Sequence, residues 1–137
     1  MFCAATIIQI PVGPGPLRVW VGGLPDLLVA SAEGTIRTRL PSLHMPLGIL
    51  SAKHFETRVQ TIELQPGERV FLYSDGICDC ANVEGEMFGE ARLEALFDGA
   101  TPAGRLFDKI RDASSRYIDG QPQDDNISLL EVAARQA

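Results

Sequence analysis

Long apolar runs are missing from this chain. No stretch of its 137 residues approaches the ~18 consecutive apolar positions of a membrane-spanning helix. Basic charge is also scarce. Twelve Lys and Arg stand against 18 Asp and Glu, a formal net charge of −6. That balance excludes a general nucleic-acid binder, because phosphate neutralisation needs a basic surface. Cations, or partners with basic patches, are easier company. Cysteine is sparse and odd in number, at three, with no disulfide-scaffold spacing. The three read as reduced thiols of a cytoplasmic protein. The opening Met1-Phe2-Cys3-Ala4-Ala5-Thr6-Ile7-Ile8 carries no positive charge before its apolar stretch, so no signal peptide is expected. Internal repeats, linkers and low-complexity segments are absent as well. What is present, 45% hydrophobic and 22% charged residues, is the mix of an ordinary globular domain. The length suits one domain or a piece of one.

The first two-thirds reads as strands and turns. Strands are predicted over 3–10, 17–21, 27–30, 35–40, 57–64 and 69–74. Pro11, Gly13, Pro14, Gly15 and Pro16 interrupt the chain between the first two. Glu33-Gly34 predicts a hairpin between 27–30 and 35–40, and Gln65-Pro66-Gly67-Glu68 predicts another between 57–64 and 69–74. Val70-Phe71-Leu72-Tyr73 is apolar without alternation, which suits a strand covered on both faces. The last third reads as helical. Phe88, Leu93, Leu96 and Phe97 form a short amphipathic pattern. A longer helix follows, with Thr101 as its N-cap and Pro102 at its first position. Leu106, Ile110, Ala113 and Tyr117 give that helix one apolar face, and Gly120 and Pro122 end it. A final strand is predicted over 127–132, followed by a fraying tail over 133–137. Strands, then two helices, then a strand make an α+β domain with helices covering a mostly antiparallel sheet.

Two acidic sites stand out by position. Ser74-Asp75-Gly76 ends the most apolar strand, where a carboxylate would project from a sheet edge and the glycine would allow a sharp turn. Asp124-Asp125-Asn126 lies between the long helix and the last strand. Carboxylates at strand ends suit hard cations such as Mg²⁺ or Mn²⁺, which want oxygen ligands. Taken singly, each motif is also ordinary turn chemistry. Asp98-Gly99 and Asp119-Gly120 occur in the same chain with nothing else to recommend them.

The order of motifs is more specific than any one of them. Pro46-Leu47-Gly48-Ile49 is followed by Leu64-Gln65-Pro66-Gly67-Glu68-Arg69-Val70-Phe71-Leu72-Tyr73-Ser74-Asp75-Gly76-Ile77. Then come Asn82-Val83-Glu84-Gly85-Glu86-Met87-Phe88-Gly89-Glu90-Ala91-Arg92-Leu93 and Asp124-Asp125-Asn126-Ile127-Ser128-Leu129-Leu130. This order resembles the C-terminal half of the SpoIIE-like branch of the PPM (type 2C-like) protein serine/threonine phosphatases, over nearly the whole chain. The resemblance makes residues 1–137 the C-terminal portion of such a domain. It implies a PPM-type sandwich of two antiparallel β-sheets flanked by α-helices. It also implies a two-metal Mn²⁺ or Mg²⁺ site, whose bridging water attacks phosphoserine or phosphothreonine in line without a phosphoenzyme. By position, Asp75 and Asp125 match metal-binding aspartates of the family, and Asp124 would support a ligand from behind. Ser128 would satisfy local backbone groups. Family members of this branch commonly sit behind receiver or sensor domains in bacterial signalling. They dephosphorylate regulators such as anti-sigma-factor antagonists.

Departures from the family pattern are visible. Gly23 stands where a histidine is common, and Asp79 where many members have glutamate. No Gly-Asp dipeptide occurs in the chain, although the family's remaining metal ligands, including the bridging carboxylate, sit in such motifs. The expectation is therefore a fragment, inactive alone, with the missing aspartates upstream. Such a fragment would expose apolar sheet edges and tend to self-associate, for instance as a homodimer. The alternative is a degenerate phosphatase-like adaptor that binds a regulator without chemistry.

Other residues carry plainer readings. Cys78 and Cys80 lack the partners of a structural zinc site and read as buried or loop thiols. His44 and His54 could donate a proton to a leaving alkoxide but read as loop histidines. Trp20 reads as core at a strand end. Arg105, Lys109, Arg111 and Arg116 read as the solvated face of the long helix.

Overall fold

The computed structural model describes residues 1–134. In chain order the elements are β1 (Ala5–Gln9), β2 (Leu17–Gly22), β3 (Leu27–Ala30), β4 (Ile36–Leu40), β5 (Gln60–Ile62) and β6 (Arg69–Tyr73), followed by α1 (Asp75–Asp79), α2 (Gly89–Ala95), α3 (Ala103–Ile118) and β7 (Leu129–Ala133). They build two antiparallel sheets, one ordered β1-β2-β5 and the other β4-β3-β6-β7. Of the expected C-terminal tail, Ala133 pairs with Arg69, and residues 135–137 lie outside the described residues.

Alternation along β3 and β6 decides the layering. Leu27, Val29 and Val70 point one way and join Val19, Val21 and Leu40 in a core between the two sheets. Leu28, Ala30, Phe71 and Tyr73 point the other way and join Ile77, Leu93, Leu106 and Ile110 in a core beneath the helices. Val70 and Phe71 are both fully buried, so β6 is covered on both faces, as its unbroken apolar run predicts. The order of layers is sheet, sheet, helices, which is the expected α+β sandwich. Leu106 and Ile110 dock α3 on the second core, with Ala113 and Tyr117 packed against them. The helix closes at Asp119, in the left-handed region at φ 48°, and Gly120 follows at φ 77°.

The structure corrects three expectations. The 57–64 and 69–74 segments do not form a hairpin. β5 pairs with β2, whereas β6 pairs with β3 and β7, so Gln65–Glu68 carries the chain from one sheet to the other. Ile62 and Leu64 gain more by packing into the inter-sheet core than by pairing back. The N-cap of α3 is Pro102 rather than Thr101, and no side chain caps it. The Ala103 N–H instead donates to the Ala32 carbonyl at 3.1 Å, which fastens the helix start to the β3–β4 turn. Finally, residues 75–79 form a short helix where a turn is predicted.

The crossover is held by Glu68, which is 4% exposed. One carboxylate oxygen accepts the Gln65 N–H at 2.7 Å, and the other pairs with the Arg37 guanidinium. Glu68→Ala removes both charge-assisted bonds, leaving Arg37 its bond to the Glu63 carbonyl at 3.1 Å, and should cost about 2 kcal/mol. Glu68→Gln, which keeps an acceptor in place, should cost less. Urea unfolding midpoints of the two variants check the order.

Edge strand β1 leaves Ile7 56% exposed, and β7, at the edge of the other sheet, leaves Leu130 57% exposed.

Candidate metal centre

The acidic site is assembled at the end of β6. Ser74 leaves the strand in extended conformation (φ −86°, ψ 161°) and serves as the N-cap position of α1 without capping it. Its hydroxyl is used across the molecule instead. Ser74 Oγ donates to the Asn126 carbonyl at 3.2 Å and accepts the Ser128 N–H at 3.0 Å. The Ser74 N–H donates to the Ser128 carbonyl at 3.0 Å. Asp75 then opens α1, where a negative charge suits the helix start.

Gly76 lets the two acidic segments touch. A Cβ built there would lie 2.1 Å from the Asn126 carbonyl oxygen and 2.9 Å from its carbon. Gly76 does not have positive φ, so the sharp turn expected of it does not occur. Its smallness serves close approach instead.

A second fastening lies on the other side of Asp124 and Asp125. The Gln123 carboxamide accepts the Ala81 N–H at 2.9 Å and donates to the Ala81 carbonyl at 3.3 Å and the Gln121 carbonyl at 2.9 Å. Between the fastenings opens a cleft of about 260 Å³, with Gly76, Asp79, Asp124 and Asp125 in its walls and Met87 at its apolar side. Asp75 is exposed and stands outside that lining, on the same short helix as Asp79. The structure thus joins the segments that carry Asp75 and Asp125, and places Asp124 in the cleft beside Asp125.

The donor chemistry fits a hard divalent cation. Asp75, Asp79, Asp124 and Asp125 offer carboxylate oxygens, and none of them takes part in an ion pair among the described residues. The set falls short in number. Among the described residues no three His, Cys, Asp or Glu side chains converge closely enough to hold a metal ion by themselves. This chain offers part of a ligand set.

The remaining candidates lie apart from the cleft or at its back. His44 stacks on Trp20 with ring centroids 5.0 Å apart, and its Nε2 pairs with the Arg58 carbonyl at 2.7 Å. His54 pairs through Nδ1 with the Ser51 hydroxyl at 3.0 Å. Neither lines the cleft. Trp20, 6% exposed, donates to the Glu56 carbonyl and backs a separate hollow of about 200 Å³ with His44 and Phe55. Lys109, expected on a solvated face, reaches back to the Leu96 carbonyl and Asp98.

Cys80 is buried and donates to the Ile77 carbonyl at 3.0 Å. Burial pushes the Cys78 thiol up to about 11, reinforced by the negative charges of Glu90, Asp79 and Asp75. The thiolate is the nucleophile, so Cys78 should resist iodoacetamide at neutral pH. Its alkylation rate should rise about tenfold per pH unit until the thiol titrates near that value. Peptide mass mapping after timed alkylation at several pH values checks this.

Sequence reasoning missed the two fastenings. It gave the backbone-satisfying role to Ser128, but the hydroxyl involved belongs to Ser74, and Ser128 contributes backbone groups. No motif in the sequence marks Gln123. An amide side chain directly before an acidic pair in a loop was the available hint.

Comparison with known proteins agrees with the fold. Residues 1–135 match the family described as Stage II sporulation protein E (SpoIIE). Protein IcfG of Synechocystis sp. (strain ATCC 27184 / PCC 6803 / Kazusa) is 28% identical over 133 residues, which cover 96% of this chain and 20% of IcfG. This chain therefore spans about a fifth of that curated relative's length. Among solved structures, the SiaA-PP2C domain of Pseudomonas aeruginosa superposes with a TM-score of 0.67 at 20% identity, covering 88% of this chain and 46% of that one. The RsbU and RsbW domains of Rv1364c from Mycobacterium tuberculosis give 0.65 at 20% identity, over 92% and 34% of the respective chains. The Mn-presoaked phosphatase domain of the cell fate determinant SpoIIE from Bacillus subtilis gives 0.61 at 13% identity, over 95% and 56%.

Proposed function

The chain belongs to the SpoIIE family, and on that premise we propose that residues 1–137 form the C-terminal portion of a PPM-type protein serine/threonine phosphatase domain. The observation that carries this reading is the joining of two acidic segments at one sheet end, through Ser74, Gly76 and the Asn126–Ser128 backbone. In this reading Asp75 and Asp125 are ligands of a Mn²⁺ or Mg²⁺ site, Asp124 orients the loop that carries Asp125, and the other ligands come from a segment outside this chain. Its coverage of 46% of the SiaA-PP2C domain and 56% of the SpoIIE phosphatase domain supports that division.

When bound, such cations lower the pKa of a water and neutralise charge on phosphoryl oxygens. The chain's own residues do the holding. Ser74 and Gly76 set the distance between the two acidic segments, and α1 presents Asp75 from the end of a fully covered strand. The substrate class is a phosphoserine or phosphothreonine protein, such as an anti-sigma-factor antagonist, with a receiver or sensor domain as the regulatory partner. Among the described residues no helix is long and apolar enough to cross a membrane.

The test is Mn²⁺-dependent hydrolysis of a phosphate ester by the protein extended upstream, with Asp75→Asn and Asp125→Asn as controls. Activity lost in both variants supports the assignment. Activity that ignores both substitutions overturns it, and an extended protein without activity turns the reading to a non-catalytic adaptor.

A further inference from the structure

We propose that Gln123 is a positioning residue, whose carboxamide holds the Asp124–Asp125 loop against the end of α1 so that its carboxylates are placed before any cation arrives. The inference rests on the metal-site reading above for its purpose, but not for its geometry. Three hydrogen bonds leave one side chain. Two form a reciprocal pair with the Ala81 backbone, just beyond α1, and the third closes on the Gln121 carbonyl within the loop itself. An amide can do this because it offers an acceptor and two donors in one plane.

The loop is thereby held at both ends. Gln123 fixes it before Asp124, and Ser74 fixes it after Asp125, at the Asn126 carbonyl and the Ser128 N–H. The two acidic residues lie between these fixed points, exposed and lining the cleft with Asp79. None of Asp79, Asp124 and Asp125 has a cationic partner among the described residues. A neutral amide clamp holds the loop without adding charge of its own. A lysine or arginine in the same place would compete with a cation for the carboxylates.

The experiment compares wild type with Gln123→Ala and Gln123→Met by backbone-amide NMR, in this chain without metal and in the protein extended upstream with Mn²⁺. Methionine keeps the bulk and removes all three hydrogen bonds. Without metal, both variants should speed exchange of the Ala81 amide by about tenfold and shift the amides of 124–126. The Ser74 and Ser128 amides should keep their protection. Unchanged exchange at Ala81, or a wild-type pattern in Gln123→Met, overturns the clamp.

With Mn²⁺, wild type should show paramagnetic broadening at Asp75 and Asp125, and both variants should need about tenfold more Mn²⁺ for the same broadening. Equal Mn²⁺ requirement in wild type and variants overturns the positioning role, because a merely structural residue would leave it unmoved. Absence of broadening in wild type counts against the metal-site reading, while the metal-free arm still decides the clamp.

Discussion

Gly76→Ala should lower stability and dismantle the acidic site in one step. The added methyl would meet the Asn126 carbonyl oxygen at 2.1 Å. That oxygen is backbone, and it is held in place by the Ser74 hydroxyl at 3.2 Å. Overpacking against a fixed group costs about 3 kcal/mol, and the better helix propensity of alanine returns about 1 kcal/mol. The net loss of about 2 kcal/mol should appear as a fall in Tm of about 6–10 °C in a domain of this size. Relief of the clash requires the 126–128 backbone to move off α1, which also breaks the Ser74–Ser128 pair. Thermal unfolding and the Ser128 amide resonance report the two effects separately.

Asp75→Asn should act in the opposite way, with a large effect on chemistry and almost none on stability. Asp75 is exposed and lies outside both cores. Surface changes of this kind stay within about 0.5 kcal/mol. As a proposed cation ligand, however, the residue contributes charge as well as an oxygen, and asparagine keeps only the oxygen. Transition-state stabilisation by bound cations amounts to several kcal/mol, so phosphate-ester hydrolysis by the upstream-extended protein should fall at least about 10³-fold. Asp125→Asn should match it. The measurement is kcat/KM at saturating Mn²⁺, beside a melting curve that does not move. The contrast with Gly76→Ala separates a residue that holds the site from one that does the holding of a cation.

Much of the fold is legible in the sequence because it is local. The strand over 27–30 is observed without change, the apolar run of β6 implies its central place, and the face of α3 follows from its spacing. The failure at Gln65–Glu68 has a physical cause. A turn that returns a strand to its neighbour and a turn that passes it to another sheet use the same residues. The choice is made by where Ile62, Leu64 and Val70 find apolar cover, which is a long-range property.

The same distinction divides the site. The proposed ligands Asp75 and Asp125 are marked by the ordered motifs around them. The roles of Ser74 and Gln123 are not, because their hydrogen bonds join residues 52, 54 and 42 positions apart. The reason for Gly76 is hidden likewise, since it lies in the backbone of Asn126 and not in its own dihedral angles.

The sheet order has one further consequence. Asp75 follows β6, an inner strand buried on both faces, whereas Asp125 precedes β7, an edge strand whose Leu130 is 57% exposed. β7 gives Leu129 to one core and Val132 to the other but is paired on one side alone, while parting β6 from its neighbours breaks open both cores. The two acidic segments are therefore unequally backed: Asp75 leans on a strand with a neighbour on each side, and the Asp125 side relies on the Gln123 and Ser74 fastenings to make up for a strand with a neighbour on one side alone.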